Sequence, residues 1–128
     1  MDNVIKILLV DDEEELRDLL AFQLEQAGHF VKTASGGDMA FQYILENAID
    51  VIVSDVKMPK GDGISLLQSI NKLEGDRPPV IFTSGFGDSN RGKALELGAF
   101  DYQIKPITVS DLLESINRAV ESKTESVV

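Results

Sequence analysis

The sequence predicts an α/β fold in which a five-stranded parallel sheet is covered by helices on both faces. Its 128 residues suit one compact domain. Along the chain, short apolar runs alternate five times with segments whose apolar residues recur at helical spacing. An alternation of this kind predicts strands that lie parallel to one another, with the intervening helices packed against the sheet.

The five strands are assigned from apolar runs and from alternation. Residues 5–10, 51–53 and 80–82 are almost continuously apolar, as expected for strands buried on both faces. Residues 30–34 form a shorter strand. Residues 100–104 alternate apolar and polar side chains, as in a half-exposed edge strand. We therefore expect the first, third and fourth strands at the centre, and the second and fifth at the edges.

Each strand is followed by a segment with helical periodicity. The first helix is closed by Gly28, because glycine commonly follows the last turn of a helix, and the fourth is weakened by Gly92 inside it. The apolar positions are Leu16, Leu19, Leu20, Leu24 and Ala27; Ala40, Tyr43, Ile44 and Leu45; Ile64, Leu67, Ile70 and Leu73; residues within 90–97; and Val109, Leu112, Leu113, Ile116 and Val120. The domain is expected over residues 1–121, with residues 122–128 as a tail or the start of a linker.

Central and edge strands in this pattern favour a flavodoxin-like, doubly wound (βα)5 fold with the strand order 2-1-3-4-5. In such sheets ligands bind beyond the carboxyl ends of the strands. Polar residues gather at these ends in the sequence, namely Asp11, Asp12, Asp55, Ser84 and Lys105. We expect them to meet in one crevice.

Three carboxylates in one crevice repel one another. Two of them ~5 Å apart at an effective dielectric constant of ~20 repel by ~3 kcal/mol. Lys105 supplies only one positive charge, and a hard divalent ion held by a few carboxylates and several waters fits the remainder. That description suits Mg²⁺, with Mn²⁺ as a substitute. Asp55 could then attack phosphorus as a nucleophile, Lys105 and the metal could stabilise the phosphoryl oxygens, and Ser84 could hydrogen-bond the transferred group.

Composition excludes several classes of function. The formal net charge of −10 argues against general binding to nucleic acid or to anionic membranes. The absence of cysteine excludes disulfides, zinc–thiolate sites and thiol nucleophiles. No apolar run approaches the ~20 residues of a membrane span, and the first residues lack the features of a signal peptide. We therefore expect a cytoplasmic protein.

Taken one by one, the same residues have simpler structural explanations. Asp12, with Glu15 three residues later, matches a helix capping box. Asp55 and Ser84 could form turns, Lys105 could be a solvated surface lysine, and Tyr102 could fill an edge strand. The functional interpretation depends on their convergence at one edge of the sheet.

Four segments together resemble response-regulator receiver domains: LLVDDE at 8–13, SDVKMPKGDG at 54–63, PVIFTSG at 79–85 and GAFDYQIKP at 98–106. The resemblance covers roughly residues 4–121. It implies that Asp55 is the phosphoacceptor in two-component signalling. It also implies that Asp11, Asp12, Asp55 and the main-chain carbonyl of Lys57 form the metal site. Of the two adjacent aspartates, Asp12 is the one favoured to contact the metal directly.

The resemblance further implies a switch. Lys105 matches the active-site lysine, followed by a cis bond to Pro106. Ser84 matches the switch hydroxyl, and Tyr102 matches the aromatic residue that turns inward on activation. Thr83 is the alternative hydroxyl, and strand alternation allows only one of the two to face the site.

Two further side chains match positions that overhang the phosphoryl group and tune its lifetime, namely Lys57 and Phe86. We hypothesise that Phe86 hinders the water that hydrolyses the acyl phosphate. The domain is then a signalling phosphoacceptor rather than an enzyme acting on other substrates, since it catalyses only its own phosphorylation and slow dephosphorylation.

The resemblance implies that the phosphodonor is a sensor histidine kinase or a histidine phosphotransfer protein. The output is a downstream protein target or a covalently linked domain. A homodimer through the fourth helix, fifth strand and fifth helix is a further expectation, whereas direct contact with nucleic acid or membrane is not.

Three other functions remain open. A Mg²⁺-dependent phosphohydrolase with an aspartate nucleophile would resemble a pattern with a second aspartate two residues later, where this chain has Lys57. A flavin or nucleotide binder would carry Gly, Ser or Thr after the first strand, where residues 11–15 are five acids. A receiver used only for docking would not need the complete set of acidic, hydroxyl and lysine residues.

Overall fold

A computed structural model of the chain describes residues 4–85 and 89–125. Within these residues five strands alternate with five helices. In chain order they are β1 (Lys6–Val10), α1 (Glu14–Gln26), β2 (Phe30–Ala34), α2 (Gly37–Glu46), β3 (Val51–Asp55), α3 (Gly63–Asn71), β4 (Val80–Ser84), α4 (Arg91–Glu96), β5 (Asp101–Ile104) and α5 (Val109–Glu125).

The strands form one parallel sheet in the order β2-β1-β3-β4-β5. The prediction of the strand order and of the two edge strands is confirmed. Register pairs Val10 with Ser54 across β1 and β3, and Asp55 with Thr83 across β3 and β4. The carboxyl ends of the central strands therefore lie side by side.

Alternation along the strands divides the core into two layers. Leu8, Ile52 and Phe82 face a cluster that includes apolar residues of α2, α3 and α4. Ile7 and Val53, which have the opposite parity, face a cluster that includes residues of α1 and α5. Both faces of the sheet are covered, which explains why the central strands carry consecutive apolar residues on both faces.

Two helices bury less of their apolar sequence than the periodicity suggested. Leu19 in α1 and Leu45 in α2 are 54% and 53% exposed. The buried stripe of α1 consists of Leu20, Ala21 and Leu24. A helix lying on a sheet buries one stripe, so an apolar residue beside that stripe remains in solvent.

The start of α1 and the end of α5 differ from the predictions. The N-cap of α1 is Glu13, not Asp12, and no side chain among the described residues caps it. Asp12 therefore does not form the capping box that the sequence offered as its simpler explanation. At the other end of the chain α5 continues to Glu125, into the segment expected to be a tail.

Among the residues that the structure describes, no helix is both long enough and apolar enough to cross a lipid bilayer.

Candidate functional site

Polar side chains from four strand ends converge at the carboxyl edge of the sheet. Parallel strands present their carboxyl ends on one side, so residues distant in sequence become neighbours there. The residues at these ends are Asp11 and Asp12 after β1, Asp55 at the end of β3, Ser84 at the end of β4 and Lys105 after β5.

Three carboxylates form a compact oxygen cluster. Asp11, Asp12 and Asp55 each place one oxygen within 4.8 Å of the others. Asp11 and Asp55 are 2% and 8% exposed, whereas Asp12 lies open to solvent. Opposite ligands of an octahedral Mg²⁺ lie about 4.2 Å apart, so the cluster fits this ion after a small adjustment, with water completing the coordination.

The ammonium of Lys105 lies among these carboxylates. Its Nζ is 3.4 Å from Asp55 Oδ2 and 3.5 Å from Asp11 Oδ2. It is also 3.4 Å from Glu13 Oε1, a contact that no sequence motif indicated. The peptide bond between Lys105 and Pro106 is cis, as the resemblance implied. The only signal for Glu13 was its place in the acidic run after β1.

Main-chain groups fix the two buried carboxylates. The N–H of Val56 donates to Asp55 Oδ1 at 2.8 Å, and the N–H of Glu13 donates to Asp11 Oδ1 at 2.9 Å. In each case Oδ2 is the oxygen that contacts Lys105. Each carboxylate is thus oriented by one short local hydrogen bond, which leaves its second oxygen turned toward the crevice.

The negative charges of the site outnumber the single positive charge of Lys105. Burial raises the pKa of Asp55, and the nearby Asp11 raises it further, against the opposing effects of Lys105 and the Val56 N–H. Burial acts to lower the pKa of Lys105, yet the attraction of Asp55, Asp11 and Glu13 outweighs it and raises that pKa. One ammonium therefore serves several carboxylates, and a divalent cation would relieve the remaining repulsion.

A sequence profile described as "Response regulator receiver domain" matches residues 7–117. The chain belongs to this family. Receiver domains act in two-component signalling, and the doubly wound sheet described above is their fold.

Relatives agree with this assignment. The receiver is 41% identical over 120 residues to the "Probable transcriptional regulator ycf27" of Guillardia theta, covering 93% of this chain and 46% of that protein. It is 39% identical over 111 residues to the "Transcriptional regulatory protein CpxR" of Escherichia coli, covering 87% and 47%. The chain thus spans about half the length of these curated relatives.

A solved structure of a response regulator receiver domain protein from Clostridium thermocellum superposes with a TM-score of 0.87. The two sequences are 38% identical, and the match covers 94% of this chain and 98% of the other. The similarity therefore extends over essentially the whole of both domains.

Two adjacent hydroxyls lie at the end of β4 in this receiver. Ser84 is 2% exposed, and its hydroxyl donates to the carbonyl of Gly85 at 3.3 Å. Thr83 is 3% exposed and pairs in register with Asp55. The choice of Ser84 as the switch hydroxyl stays a prediction.

The aromatic residue of β5 is held inside the receiver. Tyr102 is 3% exposed, and its ring meets Phe82 edge to face, with centroids 6.2 Å apart. The guanidinium of Arg91 lies 6.0 Å from the Tyr102 ring centroid and donates to the Tyr102 carbonyl at 2.9 Å. By contrast Ile104, predicted to share a face with Tyr102, is 46% exposed because the strand ends there at the rim of the sheet.

Two residues, Lys57 and Phe86, are expected to tune the phosphoryl lifetime. Lys57 is exposed in the segment that follows β3, between the buried residues Val56 and Met58. Phe86 lies outside the described residues, so its role stays a prediction.

Proposed function

We propose that this receiver accepts a phosphoryl group on Asp55 from a phosphohistidine donor in a Mg²⁺-dependent reaction, and that it then changes conformation to control a partner. The observation that carries the proposal is the contact of Lys105 Nζ with Asp55 Oδ2 at 3.4 Å, beside a cluster of three carboxylates. This arrangement combines a nucleophile, a cation for the transferred group and oxygen ligands for a metal.

The residues that would hold Mg²⁺, or Mn²⁺ in its place, are Asp11, Asp12, Asp55 and the main-chain carbonyl of Lys57. When bound, the ion supplies charge stabilisation to the phosphoryl oxygens and to the acidic residues. These donors are all oxygen atoms, the type that hard divalent cations prefer.

The chemical step is a displacement at phosphorus. A carboxylate oxygen of Asp55 forms the new P–O bond while the P–N bond to the donor imidazole breaks, and the imidazole keeps the electron pair and takes up a proton from solvent. The Val56 N–H holds the carboxylate in a fixed orientation. Lys105 pairs with Asp55 before transfer and is close enough to pair with the phosphoryl oxygens afterwards.

In this proposal the site catalyses only the phosphorylation and the slow dephosphorylation of its own Asp55. Water can hydrolyse the acyl phosphate slowly, with Lys57 and Phe86 setting the rate by covering the group. A phosphohydrolase would need an acid or base two residues after the nucleophile, and Lys57 at that place cannot act as a carboxylate does. Turnover of an added phosphomonoester would favour the hydrolase instead.

We assign the switch to Ser84 and Tyr102. The Ser84 hydroxyl bonds the phosphoryl group once it is present, and phosphorylation stabilises the inward position of Tyr102. The burial of Tyr102 supports this assignment, because its inward position is already accessible in this fold.

The donor partner in this proposal is a sensor histidine kinase or a histidine phosphotransfer protein. The output is a downstream protein or a linked domain, which is consistent with relatives about twice the length of this chain. A second copy could bind through α4, β5 and α5.

Labelling by acetyl phosphate tests the proposal. With Mg²⁺ the wild-type domain should take up one phosphoryl group, seen as a mass increase, and Asp55→Asn should take up none. Asp76→Asn is the matched control, since Asp76 is exposed in the turn before β4. Failure of the wild type to be labelled, or equal labelling without Mg²⁺, contradicts the proposal and favours a docking role.

A further inference from the structure

The loop between β3 and α3 is bound from the side by the start of α2. The N–H of Gly37 donates to the carbonyl of Gly61 at 2.8 Å, and the N–H of Asp38 donates to the carbonyl of Lys60 at 3.3 Å. Gly36 is the N-cap of α2, and among the described residues no side chain caps this helix. Two carbonyls of the neighbouring loop therefore satisfy N–H groups that the first turn of a helix leaves unpaired.

The two segments approach too closely for side chains. A β-carbon on Gly36 would overlap the carbonyl oxygen of Lys60, and one on Gly37 would lie 2.8 Å from that of Gly61. Gly61 itself has φ +87°, and a β-carbon there would lie 3.0 Å from the main-chain nitrogen of Asp38. Because main-chain atoms form most of these contacts, the loop can accept a methyl group only by moving.

The rest of the loop has little freedom to absorb such a movement. At its far end the N–H of Gly63 donates to the carbonyl of Val56 at 2.7 Å, so the loop is closed at its base. Met58 is 7% exposed and packs in the core. Pro59 has a fixed φ and cannot absorb a rotation there. Lys57 lies between these anchored points.

We propose that Gly36 and Gly37, which are remote from the chemistry, are positioning residues for the metal site. By clamping residues 60–61 they hold the loop that carries the main-chain carbonyl of Lys57, so that this oxygen is in place before the metal arrives. The inference rests on the proposed function, in which that carbonyl is a ligand. Pre-placed ligands bind a metal more tightly, because less ordering accompanies binding.

Mg²⁺ affinity measured by calorimetry tests the clamp. Gly36→Ala should bind Mg²⁺ about tenfold more weakly than wild type, in the range seen when groups that orient ligands are altered. Its rate of labelling by acetyl phosphate should fall at low Mg²⁺ and return to the wild-type value at saturating Mg²⁺. Because Mg²⁺ binding also stabilises the native state, a folding defect alone could recover with added Mg²⁺, so a destabilised variant with an unaltered loop is needed as a control.

Gly28→Ala is the matched control. Gly28 has φ +98° and nothing within 4 Å of an added β-carbon, so alanine there strains the backbone without touching the loop. Its Mg²⁺ affinity should equal that of the wild type. Equal affinities for folded Gly36→Ala and Gly28→Ala overturn the positioning role, as does a labelling defect that persists at saturating Mg²⁺.

A measurement on the wild-type domain covers the case in which Gly36→Ala does not fold. Amide hydrogen exchange at Gly37 and Asp38 should slow when Mg²⁺ is added, whereas exchange at Gly28 should not change. Unaltered exchange at Gly37 and Asp38 in the Mg²⁺-bound domain overturns the inference. A wild type that binds no Mg²⁺ overturns both proposals. If the wild type binds Mg²⁺ and is labelled on Asp55, but the predicted effects on affinity and exchange are absent, only the positioning role of Gly36 and Gly37 is overturned.

Discussion

Lys105 and Asp55 are fifty residues apart in sequence, yet the ammonium of one lies 3.4 Å from the carboxylate of the other. Each is placed by the end of a parallel strand, and their side chains are 19% and 11% exposed. The pair is therefore shielded from water on most sides, where a charge acts more strongly than it does on an open surface.

Replacing Lys105 separates its effect on phosphoryl transfer from its effect on Mg²⁺ binding. Lys105→Met should lower the rate of labelling by acetyl phosphate by about 10²-fold, because a positioned cation for the phosphoryl oxygens is lost. The same variant should bind Mg²⁺ more tightly in calorimetry, because a positive charge no longer competes for the carboxylates. Lys72→Met, at the exposed C-cap of α3, is the control. Weaker Mg²⁺ binding in Lys105→Met would contradict this account of the charges.

Glu13 competes with Asp55 for Lys105. Its side chain is 63% exposed, so the ion pair contributes less than about 0.5 kcal/mol to the free energy of unfolding. Glu13→Gln should therefore leave the urea midpoint nearly unchanged while it raises the initial rate of labelling, since the ammonium is freed for the transferred group. Glu14→Gln in the same acidic run is the control, and a slower rate in Glu13→Gln would count against the competition.

The raised pKa of Asp55 predicts a stability effect with a definite sign. Burial is its main cause, and a carboxyl whose folded pKa lies above the unfolded value opposes folding once the pH exceeds about 3.9. Asp55→Asn should therefore unfold at a higher urea concentration than the wild type at pH 7 without metal. Adding Mg²⁺ should narrow this difference, because Mg²⁺ binds the native wild type more strongly. A destabilised Asp55→Asn in metal-free buffer would be inconsistent with the charge imbalance.

The lowered pKa of Asp101 predicts the opposite dependence of stability on pH. Burial acts to raise its pKa, but hydrogen bonds from Ser115, Tyr102 and Gln103, with the charge of Arg118, lower it overall. Its contribution to stability is complete above the unfolded pKa of about 3.9 and is lost as the pH falls through the folded value. The free energy of unfolding should therefore decline below pH ~4 in urea titrations, and this decline should be shallower in Asp101→Asn.

The hydroxyl of Ser115 accounts for part of this effect. It is fully buried and donates to Asp101 Oδ2 at 2.7 Å. Ser115→Ala should cost about 1–3 kcal/mol at pH 7, and the cost should shrink in acid as the carboxylate is protonated. Ser110→Ala, on the exposed face of α5, should show neither effect.

Much of the architecture could be predicted because it depends on local patterns. Continuous apolar runs identified β1, β3 and β4 as central, and the alternation of strands with helices fixed the side of the sheet at which Asp11, Asp55 and Lys105 would meet. Side-chain periodicity is a property of short segments, so it is readable without the fold. The four motif segments then indicated the receiver family, which the profile match confirmed.

Other features depend on how loops pack against one another, and no local pattern encodes them. The contact of Glu13 with Lys105, the N-cap of α1 at Glu13 and the clamp of Gly36 on Lys60 became apparent only in the folded chain. The groups that stand at the carboxyl edge of the sheet could be named from the sequence, because strand and helix periods are local. The contacts among those groups, and the hydrogen bonds from α2 to the loop between β3 and α3, emerge only from the folded domain, because contacts between distant segments depend on how the whole domain packs.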